Sequence, residues 1–99
     1  MYLVHTELQH SGSALLTAAA AHAVAQVDGV EHASVHPDAR PYPVLALYAR
    51  ARSVTEAAGL AAQAWHTAAA REGLGGWSIV RIRAYRIGSP GDQEEVDRG

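Results

Sequence analysis

Four short segments of alternating apolar and polar residues, separated by two alanine-rich segments, constrain the fold of this chain most. The alternating segments are 2–9, 30–36, 44–51 and 77–87. A period of two is typical of β-strands with one buried face. The alanine-rich segments, 14–27 and 54–71, repeat their apolar residues at helical spacing and predict two helices. The predicted element order is therefore β-α-β-β-α-β.

Residues at the ends of the two predicted helices support this order. Ser53 and Glu56 match a capping box directly before the second helix. Ser11 or Ser13 is the predicted N-cap of the first helix, and Gly29 suits a left-handed cap at its end.

The element order and the chain length predict an α+β fold of the ferredoxin-like type. With right-handed crossovers, the antiparallel sheet has the order 4-1-3-2 and carries both helices on one face. We expect residues 1–87 to form this single domain. Residues 88–99 are polar and acidic with Gly and Pro, and we expect them to be a disordered tail.

The composition restricts both the core and the function. The 99 residues include no Phe and one Met, and much of the apolar content is alanine, which buries little area. A dimer would add buried area to such a thin core. The formal charge of −2 and the pI near 6.3 disfavour a nucleic-acid binder.

The sequence also argues against several other classes of protein. Without cysteine, the chain has no disulfide, no thiolate zinc site and no cysteine nucleophile. No apolar run approaches the ~18 residues of a transmembrane helix, and the N-terminus has no basic region typical of a signal peptide. We therefore expect a cytoplasmic protein without membrane association.

Alternation assigns the strand residues to two faces, because successive side chains point to opposite sides. Val4, Leu45 and Leu47 are assigned to the helix side, as are Val80 and Ile82. Ser34 and Ala46 fall on the other face. That free face, as the expected ligand or interface surface, also carries Leu3, His5, Glu7, His32, His36, Val44, Tyr48, Arg50, Trp77, Ile79, Arg81, Arg83 and Tyr85.

A face of this mixed character has three interpretations. It is a solvated sheet surface, a platform for stacking nucleic-acid bases on Trp77, Tyr48 and Tyr85, or an interface on which two sheets close around an internal cavity. The acidic pI disfavours the second. We favour the third, because the face is too apolar for water and too rich in ionisable groups for a dry core.

The chain resembles the dimeric α+β barrel proteins in three respects. These are the β-α-β-β-α-β order, the length and the half-apolar free face. The segment "GVEHASVHPD", followed by a strand and then "SVTEAA", is also similar to that group. The resemblance implies a homodimer. It also implies one of the group's activities: cofactor-independent monooxygenase, muconolactone-isomerase-like enzyme, or sensor and effector-binding domain. It transfers no catalytic residue to this sequence.

The histidines do not predict a metal site. His32 and His36 share a strand face but lie roughly 13 Å apart at ~3.3 Å per residue. No carboxylate completes a site of two histidines and one carboxylate. We expect no metal and no cofactor.

The best catalytic hypothesis on the free face is His5 as a general base, with Tyr48 and Arg81 nearby. We prefer the interpretation in which Glu7 and an arginine of the fourth strand form a structural ion pair. The chain is then a small non-catalytic binding or interaction module, with a small molecule or a protein as partner. The alternative is a cofactor-independent monooxygenase or isomerase acting on an aromatic or anionic small molecule.

Overall fold

A computed structural model describes residues 1–12 and 14–87 of the chain. The elements are β1 (Tyr2–His10), α1 (Ala18–Ala25), β2 (Val30–His36), β3 (Val44–Ala49), α2 (Val54–Glu72) and β4 (Trp77–Arg86). The strands form one antiparallel sheet in the order β2-β3-β1-β4, which is the predicted order read from the other edge. The α+β class and the strand order are confirmed. The predictions for Ser13 and for the tail 88–99 lie outside the described residues.

The core lies between one face of the sheet and the two helices. Val4, Leu8, Leu45 and Leu47 point from the sheet into this layer and are fully buried, as is Trp65 of α2. Eight of the seventeen buried residues of the core cluster are alanine. Because alanine buries little apolar area, the rings of Trp65 and Tyr2 and the larger aliphatic side chains supply most of the burial.

Helix α2 begins and ends as its sequence predicts. The Ser53 hydroxyl accepts a hydrogen bond from the Glu56 amide at 3.1 Å. The Glu56 carboxylate in turn accepts one from the Arg52 amide at 3.2 Å. Gly73 closes the helix in the left-handed conformation, with φ of 66°. These bonds give partners to one free N–H group of the first turn and to one carbonyl of the last turn.

Helix α1 is shorter than predicted. It spans eight residues after Thr17, whose side chain makes no capping hydrogen bond, and neither Ser11 nor Gly29 caps it. Leu16 reaches the core from the extended segment ahead of the helix, so its burial does not require a longer helix. Gly29 has φ of 93° and lies in the turn into β2, past the C-cap residue Gln26.

A β-bulge in β4 corrects the predicted faces of that strand. Ile79 pairs with Leu8, and Arg81 pairs with the adjacent residue of β1, so Val80 is left as the extra residue. The bulge reverses the alternation for the first part of β4. Trp77 and Ile79 therefore pack against the core, whereas Val80 is exposed, the opposite of their predicted sides.

The reversed Trp77 has a defined position beside the core. Its ring lies edge-on to Trp65, with 6.5 Å between the ring centroids. The His10 ring packs on it at 4.9 Å, also edge-on. These contacts remove the largest aromatic side chain from the face that was predicted to bind a partner.

Candidate functional site

The sheet face opposite the helices consists of three rows of four residues that run across all four strands. The rows are His32–Tyr48–Leu3–Tyr85, Ser34–Ala46–His5–Arg83 and His36–Val44–Glu7–Arg81. We call these twelve residues the open face. Its side chains reach solvent at several places: Tyr48 is 38% exposed, and the Arg81 and Arg83 side chains are about half exposed.

The open face contains twelve of the fifteen residues that the sequence assigned to it. Trp77 and Ile79 are on the helix side because of the bulge. Arg50 directly follows β3 and forms an ion pair with Glu31, with 2.5 Å between Arg50 Nε and Glu31 Oε2. Arg50 thus lies past the end of the strand and has its own exposed partner.

One carboxylate and two guanidinium groups occupy one end of the open face. Arg81 Nε donates a hydrogen bond to Glu7 Oε2 at 2.6 Å, and Arg83 Nη2 lies 3.6 Å from the same oxygen. The Glu7 side chain is only 4% exposed. The hydrogen bond from Arg81 lowers the pKa of Glu7, which keeps this carboxylate ionised. The predicted ion pair between Glu7 and a β4 arginine is confirmed.

His5 lies in the middle row, directly opposite Arg83 on the neighbouring strand. Its ring packs edge-on against Tyr85, with 5.4 Å between the ring centroids. Burial lowers the pKa of His5, and the charges of Arg83 and His36 lower it further. These effects favour the neutral imidazole, which has one nitrogen that donates a hydrogen bond and one that accepts.

An open groove of about 520 Å³ begins at His5 and extends toward the loop after β2. The lining residues are His5, Val35, His36, Pro37, Asp38, Ala39 and Val44. The walls are mostly apolar, with two imidazole rings and one carboxylate as polar groups. The sequence did not predict this groove, because residues 37–39 are typical of a loop and nothing in them shows that the loop rises beside the sheet.

The structure does not bring the three residues of the catalytic hypothesis together. Arg81 and Tyr48 lie in the two outer rows, which are four residues apart along the strands, or ~13 Å. His5 lies between them in the middle row, and Arg81 already donates to Glu7. His5 is therefore the one member of this set that lines the groove.

The remaining histidines of the open face make separate contacts. His36 lies 3.3 Å from the Ser34 hydroxyl, and the His32 ring packs against Tyr48 with 6.3 Å between the ring centroids. Within residues 1–12 and 14–87, no three histidine, aspartate or glutamate side chains lie close enough together to bind a metal ion.

Among the residues that the structure describes, neither helix is long and apolar enough to span a membrane. No family model, no curated protein and no solved structure matches the chain.

Proposed function

We propose that this protein is a small cytoplasmic, non-catalytic binding module of the ferredoxin-like fold. In this proposal two copies pair through their open faces, as in the dimeric α+β barrel proteins, and enclose a cavity for a small molecule. The row His32–Tyr48–Leu3–Tyr85 is the observation that carries the proposal. It crosses all four strands with apolar or aromatic side chains, and aromatic residues are enriched in protein interfaces.

The charges of the open face are compatible with a covered surface. An unpaired buried charge would oppose association strongly. Glu7 is already paired with Arg81 and is nearly inaccessible within a single copy. Closing a second sheet over it would therefore bury little additional negative charge. The Arg81 and Arg83 side chains are half exposed, so their ends can remain in a water-filled cavity.

The thin core is a second reason for a dimer. Alanine supplies nearly half of the buried core cluster, so each copy buries little apolar area per residue. Small domains gain stability when association adds buried surface. The aromatic row would supply such surface, since Tyr48 is 38% exposed in one copy.

Light scattering of the wild type and two variants tests this proposal. Tyr48→Glu places a charge in the aromatic row, and we expect it to convert a dimer into a folded monomer. Val54→Glu is the matched control, because Val54 is 51% exposed at the start of α2 and does not belong to the open face. This control should remain dimeric.

Circular dichroism melts establish that each variant is folded. A wild type that is monomeric at low and high salt would refute the homodimer. A Tyr48→Glu protein that remains as dimeric as Val54→Glu would show that copies associate through another surface, and would refute the open-face interface.

The position of His5 favours a second candidate function, a cofactor-independent isomerase or monooxygenase. A neutral imidazole beside a groove can accept a proton from a bound substrate. Incubation with aromatic acids in aerated buffer, followed by liquid chromatography with mass spectrometry, tests this candidate, because an isomer differs from its substrate in retention and an oxygenated product differs in mass. Product formation that requires His5 and stops in His5→Ala would replace the non-catalytic proposal.

A further inference from the structure

The positive charge around Glu7 exceeds the negative charge. Arg81 and Arg83 both approach the single oxygen Glu7 Oε2, so two guanidinium groups share one carboxylate. Arg81 makes the short contact of 2.6 Å. Arg83 is 3.6 Å away, beyond hydrogen-bond length, and this is its only ion pair within the described part of the chain. Arg83 therefore retains hydrogen-bond donors and a charge that Glu7 does not fully neutralise.

Arg83 does not line the groove itself, but it is the cross-strand neighbour of a residue that does. His5 lines one end of the groove and is the direct cross-strand neighbour of Arg83. Directly opposite residues on neighbouring antiparallel strands have Cβ atoms ~5 Å apart. The Arg83 side chain is 52% exposed, so its guanidinium can turn toward a molecule that occupies the His5 end.

The groove itself is suited to an apolar body. Val44, Pro37 and Ala39 contribute apolar walls, and the His36 ring adds a flat surface. Its volume of about 520 Å³ falls in the usual range for small-molecule sites. A ligand that fills it would contact apolar atoms along its length and polar groups at its ends.

We propose that this groove binds a small organic anion with an apolar body and one carboxylate, and that the carboxylate pairs with Arg83 and accepts a hydrogen bond from His5. This inference rests on the proposed function, because it names the class of ligand that the binding module takes. Arg83 supplies the charge-assisted hydrogen bond, which is the strongest polar interaction available at the site.

A second charged group of the groove determines the orientation in which the ligand binds. Asp38 is the one carboxylate among the lining residues, and it follows β2, two strands from His5. Neighbouring strands lie ~4.8 Å apart, so a separation of two strands is ~10 Å. A ligand with its carboxylate at the His5 end therefore keeps its negative charge away from Asp38, whereas the reverse orientation would bring the two charges together.

Titration of the ¹⁵N-labelled wild type with benzoate and with benzamide at pH 7 tests the inference. The two probes have nearly the same shape, but only benzoate is charged. We expect benzoate to shift the amide signals of His5, Val44 and Arg83, and to bind about tenfold more tightly than benzamide.

Two arginine variants separate a specific pair from a general charge effect. Arg83→Gln should weaken benzoate binding about tenfold. Arg86→Gln removes the same charge from the same strand, three residues away and outside the open face, and should change the affinity less than about twofold. Asp38→Asn should leave the affinity equal or raise it. Thermal melts of each variant confirm that it is folded.

The contrary outcomes are distinct. No benzoate binding, equal binding of benzamide, or an unchanged affinity in folded Arg83→Gln would each overturn the inference. Light scattering on the same samples tests the dimer separately. A dimer that does not bind benzoate leaves the proposed assembly standing without the anion site. A monomer that binds benzoate through Arg83 keeps the anion site and removes the assembly.

Discussion

Glu7 on β1 and Arg81 on β4 face each other across the sheet, with 2.6 Å between Glu7 Oε2 and Arg81 Nε. The two side chains differ sharply in solvent contact: Glu7 is 4% exposed and Arg81 is 54% exposed. The carboxylate is therefore shielded from water while its partner remains half in water. Removal of Arg81, or of the charge of Glu7, should therefore lower stability more than the same change at an ion pair in which both side chains are exposed.

We expect Glu7→Gln to lower the free energy of unfolding at pH 7 and to have little effect in acid. The pKa of Glu7 is lower in the folded protein than in the unfolded chain. Its contribution is therefore complete above the unfolded pKa and is lost as the pH falls through the folded value. Urea unfolding of both proteins at pH 7, 5 and 3 measures this, and the difference between them should be nearly the same at pH 7 and pH 5 and smaller at pH 3.

Glu31→Gln is the matched control for that experiment. Glu31 pairs with Arg50 at 2.5 Å, but the two side chains are 42% and 66% exposed. Exposed pairs contribute less than about 1 kcal/mol, so this variant should unfold almost as the wild type does. If Glu7→Gln behaved in the same way as Glu31→Gln, the shielded pair would have no special role in the sheet.

Trp77→Ala should destabilise the protein without changing its oligomeric state. The bulge places Trp77 beside Trp65 and the core, so truncation removes buried aromatic surface. We expect a loss of about 2 kcal/mol, below the usual range for a fully buried tryptophan. Val80→Thr, at the exposed extra residue, should change stability by less than about 0.5 kcal/mol.

Urea unfolding and light scattering together test the position of Trp77. A folded Trp77→Ala protein with nearly unchanged stability and an altered mass in solution would contradict it. That result would place Trp77 on the open face, where alternation without a bulge puts it.

The bulge marks the limit of what alternation in the sequence can predict. Alternation assigns Val4, Leu45 and Leu47 to the core correctly, because β1 and β3 keep a period of two at these positions. In β4, apolar residues stand at both parities, since Trp77 and Ile79 alternate with Val80 and Ile82, so the pattern alone does not show which of them face the core. The pairing of β4 with β1 decides which residues of β4 face the core. The sequence of β4 alone does not contain this information, because the pairing register depends on both strands.

The first helix shows a similar limit. Alanine favours helix at every position from 18 to 21 and at 14, so composition alone does not show where α1 begins. The second helix is different, because Ser53 and Glu56 make side-chain hydrogen bonds that fix its first turn. Capping residues with a specific bonding pattern predicted a boundary, and a run of alanine did not.

Thr6→Val should stabilise the protein. Thr6 is fully buried on the helix side of β1, and its hydroxyl oxygen has no hydrogen-bond partner among the described residues. An unsatisfied buried hydroxyl is unfavourable, and valine keeps nearly the same shape without it. We expect a gain of about 1 kcal/mol in urea unfolding. Thr55→Val, at an exposed position in α2, is the control and should have a much smaller effect. A loss of stability in Thr6→Val would indicate that the hydroxyl has a partner.

Two glycine-to-alanine substitutions should have opposite effects, because the two backbones differ. Gly59 lies in the interior of α2, and an added Cβ would meet nothing within 4 Å. Alanine there should raise the free energy of unfolding by about 1 kcal/mol, through higher helix propensity. Gly76 has φ of 92°, and a Cβ would lie 2.8 Å from Nε2 of His10.

His10 cannot easily move away from that added carbon. Its Nδ1 accepts a hydrogen bond from the Gly12 amide at 2.8 Å, and its ring packs on Trp77. Gly76→Ala should therefore lower the free energy of unfolding by at least about 1 kcal/mol, from the backbone strain alone. Thermal and urea unfolding of both variants measure the two effects. A neutral Gly76→Ala would mean that the turn before β4 relaxes to a negative φ and that His10 is not held by these contacts.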